Sequence, residues 1–176
     1  MNLVERGMMA ADKVHMNQSY DIFPYMFHIK MVVKIAQQYG FDEVIQCACA
    51  LHDSQEDGNL SYNDIKKYFG EEVAEIVYAV TDELGRNRKE RKAKTYPKIK
   101  ANWKAVAVKL CDRIANMRHS SEFTPDMMSM YKKEHTAFKE ALYSDEHHSS
   151  VNQLWDAIDM ILNPIYPWEI SSGEHK

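Results

Sequence analysis

No stretch of this sequence approaches the roughly 18 uninterrupted apolar residues that a membrane span requires. The N-terminus MNLVERGMMAADKVH breaks its short apolar pieces with charge, where a secretion signal would keep a continuous core. Both absences point to a cytoplasmic chain. Cysteine is scarce as well. Cys47, Cys49 and Cys111 make neither an even set nor a CxxC pair, which argues for reduced thiols buried in helices as small hydrophobes. An excess of one charge is also missing: the formal net charge is -4 at pH 7, so global charge singles out no polyanionic partner. Strand signals are absent, because no run alternates at period two between turn residues. Neither an internal repeat nor a low-complexity linker interrupts the chain.

What is present is helical periodicity. Apolar positions recur at spacings of three and four near 2–16 and over 24–39, 42–52, 61–69, 71–83, 102–119, 125–142 and 149–162. Stop and start signals mark the boundaries. Gly40 stops one helix and Asp42 can cap the next, Ser61 with Asp64 resembles a capping box, Gly70 ends that short helix, and Thr124–Pro125 reads as an N-cap followed by a first-turn proline. The expectation is a single all-α domain over residues 1–176 with about seven or eight helices, in which 84–101 is a long non-core segment and 163–176 a C-terminal tail. The stripe Met127, Met128, Met130, Tyr131, Phe138 and Leu142 reads as packing surface or as an interface with a second copy. His119 and His135 read as helix-surface residues outside any site.

The segment LHDSQED, residues 51–57, departs from this pattern. It puts a histidine and three acids directly after the apolar run CACAL, and like charges this close repel unless a cation or shared protons offset them. His28 raises the same question in the apolar face PYMFHIKMVV, where a histidine needs a partner. Asp112, among Val106, Val108, Leu110 and Cys111, is costly to bury unpaired. Each has a plainer reading: a solvated helix end, a core histidine bonded to a carbonyl, an aspartate paired with Arg113 or Arg118. Taken together, His28, His52, Asp53 and Asp112 supply two imidazoles and two carboxylates from three helices, a set that suits Mn²⁺, Fe²⁺ or Zn²⁺ with positions left open.

H…HD…D in an all-α chain resembles the HD-domain metal-dependent phosphohydrolases, and within them the hydrolase domain of RelA/SpoT-type proteins and the small stand-alone alarmone hydrolases. PYMFH at 24–28 is similar to that family's PYxxH, LHDSQED at 51–57 to LHDxxED, and VKLCDRIANMR at 108–118 to VKLADRLxNMR. The similarity runs over about residues 5–142, in the same order and with similar separations. It implies that His28, His52, Asp53 and Asp112 hold the metal, that Glu56 and Asp57 are the catalytic acids, and that Asn116 contacts a nucleotide. The implied reaction is attack of water on phosphorus, releasing pyrophosphate from the ribose 3′ position of a guanosine 3′,5′-bis(diphosphate)-type alarmone. Positions 54–111 contain no further histidine, which favours one divalent ion, Mn²⁺ first, with Zn²⁺ or Fe²⁺ as alternatives.

One departure from that family bears on the substrate. The alarmone hydrolases usually carry a basic stretch just before PYxxH, whereas QSYDIF at 18–23 has no Lys or Arg. Nine Lys and Arg gather instead at 86–104 against the single acid Glu90, either as a solvated face or as a segment folded over the metal to bind phosphates. Arg88, Arg91, Lys92 and Lys94 from that segment, with Lys109, are the candidate substrate contacts beside Asn116. A phosphorylated nucleotide is the expected partner, with no membrane. Nucleic acid is disfavoured, since only Tyr96 and Trp103 interleave the basic run. Two alternatives stay open: an HD hydrolase of another nucleotide, such as a nucleoside triphosphate or NADPH, and a non-catalytic nucleotide- or nucleic-acid-binding module.

Overall fold

A computed structural model describes residues 1–56 and 60–164. The described residues are almost entirely helical: α1 (Leu3–Val14), α2 (Met26–Gln38), α3 (Glu43–Leu51), α4 (Tyr62–Phe69), α5 (Glu71–Val80), α6 (Arg88–Lys100), α7 (Trp103–Glu122), α8 (Pro125–Leu142) and α9 (Ser149–Leu162). The fold is all-α. Two strands of two residues each, β1 (Ser19–Tyr20) and β2 (Phe23–Pro24), pair antiparallel between α1 and α2. They are too short to show a period of two. Asp21, at φ 55, turns the chain between them.

The boundaries follow from local chemistry. The Asp42 side chain accepts the Ile45 N–H at 2.9 Å and so caps α3. Ser61 and Asp64 close a reciprocal capping box on α4. Gly70, at φ 97, lets the chain turn from α4 into α5. Pro125 occupies the first turn of α8, but the Thr124 side chain makes no capping bond, so the rigid proline alone marks that start.

The segment 84–101, expected to be non-core, contains α6. Its N-cap is Asn87, whose side chain accepts the Glu90 N–H at 2.9 Å. Thr95 and Ile99 are its buried residues. That stripe is too thin to register against so many charges, and Pro97 inside the helix masked it further.

At the centre lies α7, which packs against α2, α3, α5, α6, α8 and α9. Its residues Ala105–Val108 and Leu110–Ala115 are buried, so Asp112 sits in the middle of the core helix. The buried apolar side chains form one cluster that extends from Val4 in α1 to Ile158 in α9. On the first three helices, Gly7 allows α1 to approach α3 closely: a Cβ there would lie 2.9 Å from the Cys47 Sγ. Of the packing stripe on α8, Met128, Tyr131, Phe138 and Leu142 are buried, and Met127 is exposed. His119, read from sequence as a surface residue, is buried at 5% exposure, packed against Tyr20, Phe23, Phe27 and Phe123. Among the described residues, no helix is long and apolar enough to cross a membrane. Most of the tail expected at 163–176 lies outside the described residues.

Candidate active site

α2, the end of α3 and the middle of α7 deliver four polar side chains to one buried point. His28 comes from the first turn of α2, His52 is the C-cap of α3, Asp53 follows it, and Asp112 projects from α7. The two imidazole Nε2 atoms lie 3.3 Å apart. Asp53 Oδ2 is 3.0 Å from His52 Nε2 and 3.8 Å from His28 Nε2. Asp112 Oδ1 is 3.4 Å from His28 Nε2 and 3.7 Å from His52 Nε2. His52 Nδ1 contacts the Cys49 carbonyl oxygen at 2.8 Å. A carbonyl only accepts, so Nδ1 carries a proton, and Nε2 faces the cluster, where it offers a lone pair whenever the ring is neutral.

The carboxylates of this cluster favour positive charge beside them. Burial alone would lower the His52 pKa, but Asp53 and Asp112 overcome it and raise the value well above the ordinary imidazole range. Burial works against ionisation of Asp53 too, and His52 holds its carboxyl well below the usual carboxylate range. Asp112 behaves alike, with Lys109 as the main force against burial. Two nitrogen and two oxygen donors crowded in this way fit a divalent transition ion. The ligand atoms of His28, His52 and Asp53 all lie within 4.8 Å of one another, so one ion can reach all three.

A surrounding layer holds the donors in place. The Tyr25 hydroxyl donates to Asp53 Oδ2 at 2.5 Å. Lys109 Nζ donates to Asp112 Oδ2 at 2.7 Å, and Asn116 Nδ2 donates to Asp112 Oδ1 at 2.5 Å. Tyr20 donates from its hydroxyl to Asn116 Oδ1 at 2.7 Å and stacks on the His28 ring, with centroids 4.7 Å apart. Burial, then the negative charge around it, pushes the Tyr20 phenol above its ordinary range, so it remains a donor at neutral pH.

Glu56 lies at the edge of this layer, where its Oε1 accepts the Asp82 N–H at 2.6 Å. The protein packed around its carboxyl, then the charges of Asp53 and Asp82, raise its pKa, against the pull of that N–H bond. Asp57 lies outside the described residues.

Beyond Asp112 opens a cavity of about 110 Å³, whose lining includes Arg88, Lys92, Lys109, Arg113 and Asn116. Arg88 grips Glu134 with Nε and Nη2, at 2.8 and 3.0 Å. Lys92 Nζ reaches both Asp82 oxygens, at 2.8 and 3.0 Å. Burial lowers the Lys92 pKa, and the nearby Lys109 charge adds to that. Arg91 lies 3.8 Å from Asp82, and Lys94 donates to the Leu84 carbonyl at 2.8 Å. Neither lines the cavity. A larger groove of about 710 Å³ between α1, α2 and α3 contains none of these site side chains.

Several contributors escaped the sequence reading. Tyr25 stood inside the quoted PYMFH motif, and its position beside the metal-type histidine was the available signal. Tyr20 and Asp82 carried none, and Arg113 stood out only as a pairing partner for Asp112. The simple pairing of Asp112 with Arg113 is not what forms. The Arg113 guanidinium lies 4.1 Å from the centre of the Phe138 ring and donates to the Tyr131 carbonyl at 3.0 Å, while Lys109 and Asn116 serve Asp112.

The HD-domain family model matches residues 8–138, and the chain belongs to that family. Among its relatives is the guanosine-3′,5′-bis(diphosphate) 3′-pyrophosphohydrolase MESH1 of Xenopus tropicalis, 32% identical over 129 residues, which are 70% of this chain and 72% of that protein. The bifunctional (p)ppGpp synthase/hydrolase SpoT of Escherichia coli K12 is 34% identical over 110 residues, 58% of this chain but only 16% of SpoT. A solved structure of a metazoan SpoT ortholog, described as hydrolysing ppGpp, superposes with a TM-score of 0.75 over 94% of this chain and 98% of that one, at 23% identity. That likeness establishes the shared fold.

Proposed function

We propose that this protein is a metal-dependent pyrophosphohydrolase that removes the 3′-diphosphate of guanosine 3′,5′-bis(diphosphate)-type alarmones. The observation that carries the reading is the meeting of His28, His52, Asp53 and Asp112, with imidazole-to-carboxylate distances of 3.0 to 3.8 Å, in a chain related to proteins named guanosine-3′,5′-bis(diphosphate) 3′-pyrophosphohydrolase. In this reading the four side chains hold one ion, Mn²⁺ first, with Zn²⁺ or Fe²⁺ as alternatives. A divalent ion bound there supplies a Lewis acid to phosphoryl oxygens and lowers the pKa of nearby water.

The chain's own residues do the rest. Glu56, its carboxyl pKa raised, takes a proton from the attacking water, and Asp57 is the second candidate for proton transfer. The water oxygen bonds to the 3′-linked phosphorus, the bond from that phosphorus to O3′ breaks, and the proton ends on O3′. The products are the nucleoside 5′-diphosphate and pyrophosphate. Lys109, Lys92 and Arg88 line the cavity beside Asp112 and are suited to hold phosphate through charge-assisted hydrogen bonds. Arg88 and Lys92 now spend their donors on Glu134 and Asp82, so a substrate phosphate has to compete with those carboxylates.

Asp53→Ala and Asp112→Ala test the assignment. Both variants are expected to lose bound metal, read by elemental analysis, together with pyrophosphate release. Retention of metal at the unsubstituted stoichiometry by either variant would contradict it.

A further inference from the structure

The resemblance gives Asn116 to the nucleotide, but here the two ends of its amide are already engaged. Its Nδ2 donates to Asp112 Oδ1 at 2.5 Å, and its Oδ1 accepts the Tyr20 hydroxyl at 2.7 Å. Asp112 Oδ1 is also the oxygen that faces both histidines, at 3.4 and 3.7 Å. Tyr20 belongs to QSYDIF, the stretch where a basic sequence is expected, and its ring covers His28 at 4.7 Å between centroids. We infer that Tyr20 is a positioning residue of the metal centre, acting through Asn116, which in this chain is a strut for Asp112.

The physical reason lies in the asymmetry of an amide. Oδ1 accepts and Nδ2 donates, and a half-turn exchanges them. With the exchange, Oδ1 would face the Asp112 carboxylate, acceptor against acceptor, and tilt the metal-facing oxygen. The acceptor-only carboxylate thus selects the productive orientation, and the Tyr20 hydroxyl, donating to Oδ1 from the far side, anchors the amide in place. Asp112 is then fixed at both oxygens, by Asn116 on Oδ1 and by Lys109 on Oδ2. Partners of this kind behind a metal ligand commonly govern affinity by about 10- to 100-fold.

The inference rests on the reading of the cluster as a cation site, and the test separates it from the substrate assignment. Tyr20→Phe keeps the stacking ring and removes only the hydroxyl. Mn²⁺ affinity is measured by calorimetry on the full chain without nucleotide, for the unsubstituted protein, Tyr20→Phe, Asn116→Ala and the double variant. The expected result is a Kd raised about 10-fold or more in each single variant, with the double variant no worse than Asn116→Ala, because the two act in one chain. Excess Mn²⁺ should restore turnover in Tyr20→Phe with KM for the nucleotide unchanged. An unaltered Mn²⁺ Kd, additive losses in the double variant, or a raised KM at saturating Mn²⁺ would overturn the inference. Failure of the unsubstituted protein to bind Mn²⁺ would overturn the cation-site reading along with it. If Mn²⁺ linkage holds while alarmone turnover is absent, the inference stands and the substrate assignment fails.

Discussion

At the scale of single residues, the proposed chemistry depends on polar side chains whose pKa values are displaced from their ordinary ranges. Glu56 is the sharpest case. In the proposed role of base it must be ionised, so kcat should fall as pH is lowered through its folded pKa. That pKa lies above the ordinary value because of burial and the charges of Asp53 and Asp82. A kcat–pH profile should therefore show an acid limb displaced upward from the normal glutamate range, near about 4.3. Glu56→Gln should remove that limb, retain metal and lower kcat by about 10²- to 10⁴-fold. A Gln variant with full activity would take the proton-transfer role away from Glu56. A raised carboxyl pKa also means that the folded state binds this proton more tightly than the unfolded chain. Its contribution to stability is thus present at low pH and lost as pH rises through the folded value.

His28 and Asp112 were legible in the sequence as polar groups among apolar residues of a helix, and His52 and Asp53 as a polar cluster directly after an apolar helical run, each in need of a partner. The layer behind them was not. The Tyr20–Asn116 bond spans 96 positions, and the strands that set Tyr20 in place are two residues long, below the length at which any period can be read. The cysteines were readable from scarcity alone. All three are free and buried, and burial pushes the Cys47 thiol up to about 12. Cys47 should resist alkylation in the native protein and react only on unfolding, which thiol labelling with and without denaturant would measure.

At the scale of elements, α6 connects a weak local signal to function. Eight helices announced themselves by apolar period and cap chemistry, whereas α6 did not, since its buried stripe amounts to Thr95 and Ile99 and its cap is the single residue Asn87. Its first turns carry Arg88 and Lys92 to the cavity beside Asp112, so the order of that helix end bears on substrate binding. Asn87→Ala removes the acceptor for the Glu90 N–H and should cost about 1 kcal/mol. Denaturant midpoints should register that loss. KM for the nucleotide should rise more than kcat falls, and an unchanged KM would detach the α6 N-terminus from the substrate.

At the scale of the molecule, the site is assembled from segments distant in sequence around one central helix. A ligand that binds only the folded state stabilises it by mass action, by about 2.7 kcal/mol at a hundredfold excess over Kd. For a domain of this size that corresponds to a rise in Tm of roughly 5 to 10 °C on adding Mn²⁺. Chelation should reverse it, and Asp112→Ala should abolish it. The central claim is chemical, and product analysis tests it most directly. Purified protein with Mn²⁺ and guanosine 3′,5′-bis(diphosphate), followed by phosphorus NMR and nucleotide chromatography, should yield guanosine 5′-diphosphate and pyrophosphate in equal amounts, with no orthophosphate. Absence of turnover with metal bound, or release of orthophosphate in place of pyrophosphate, would contradict the account.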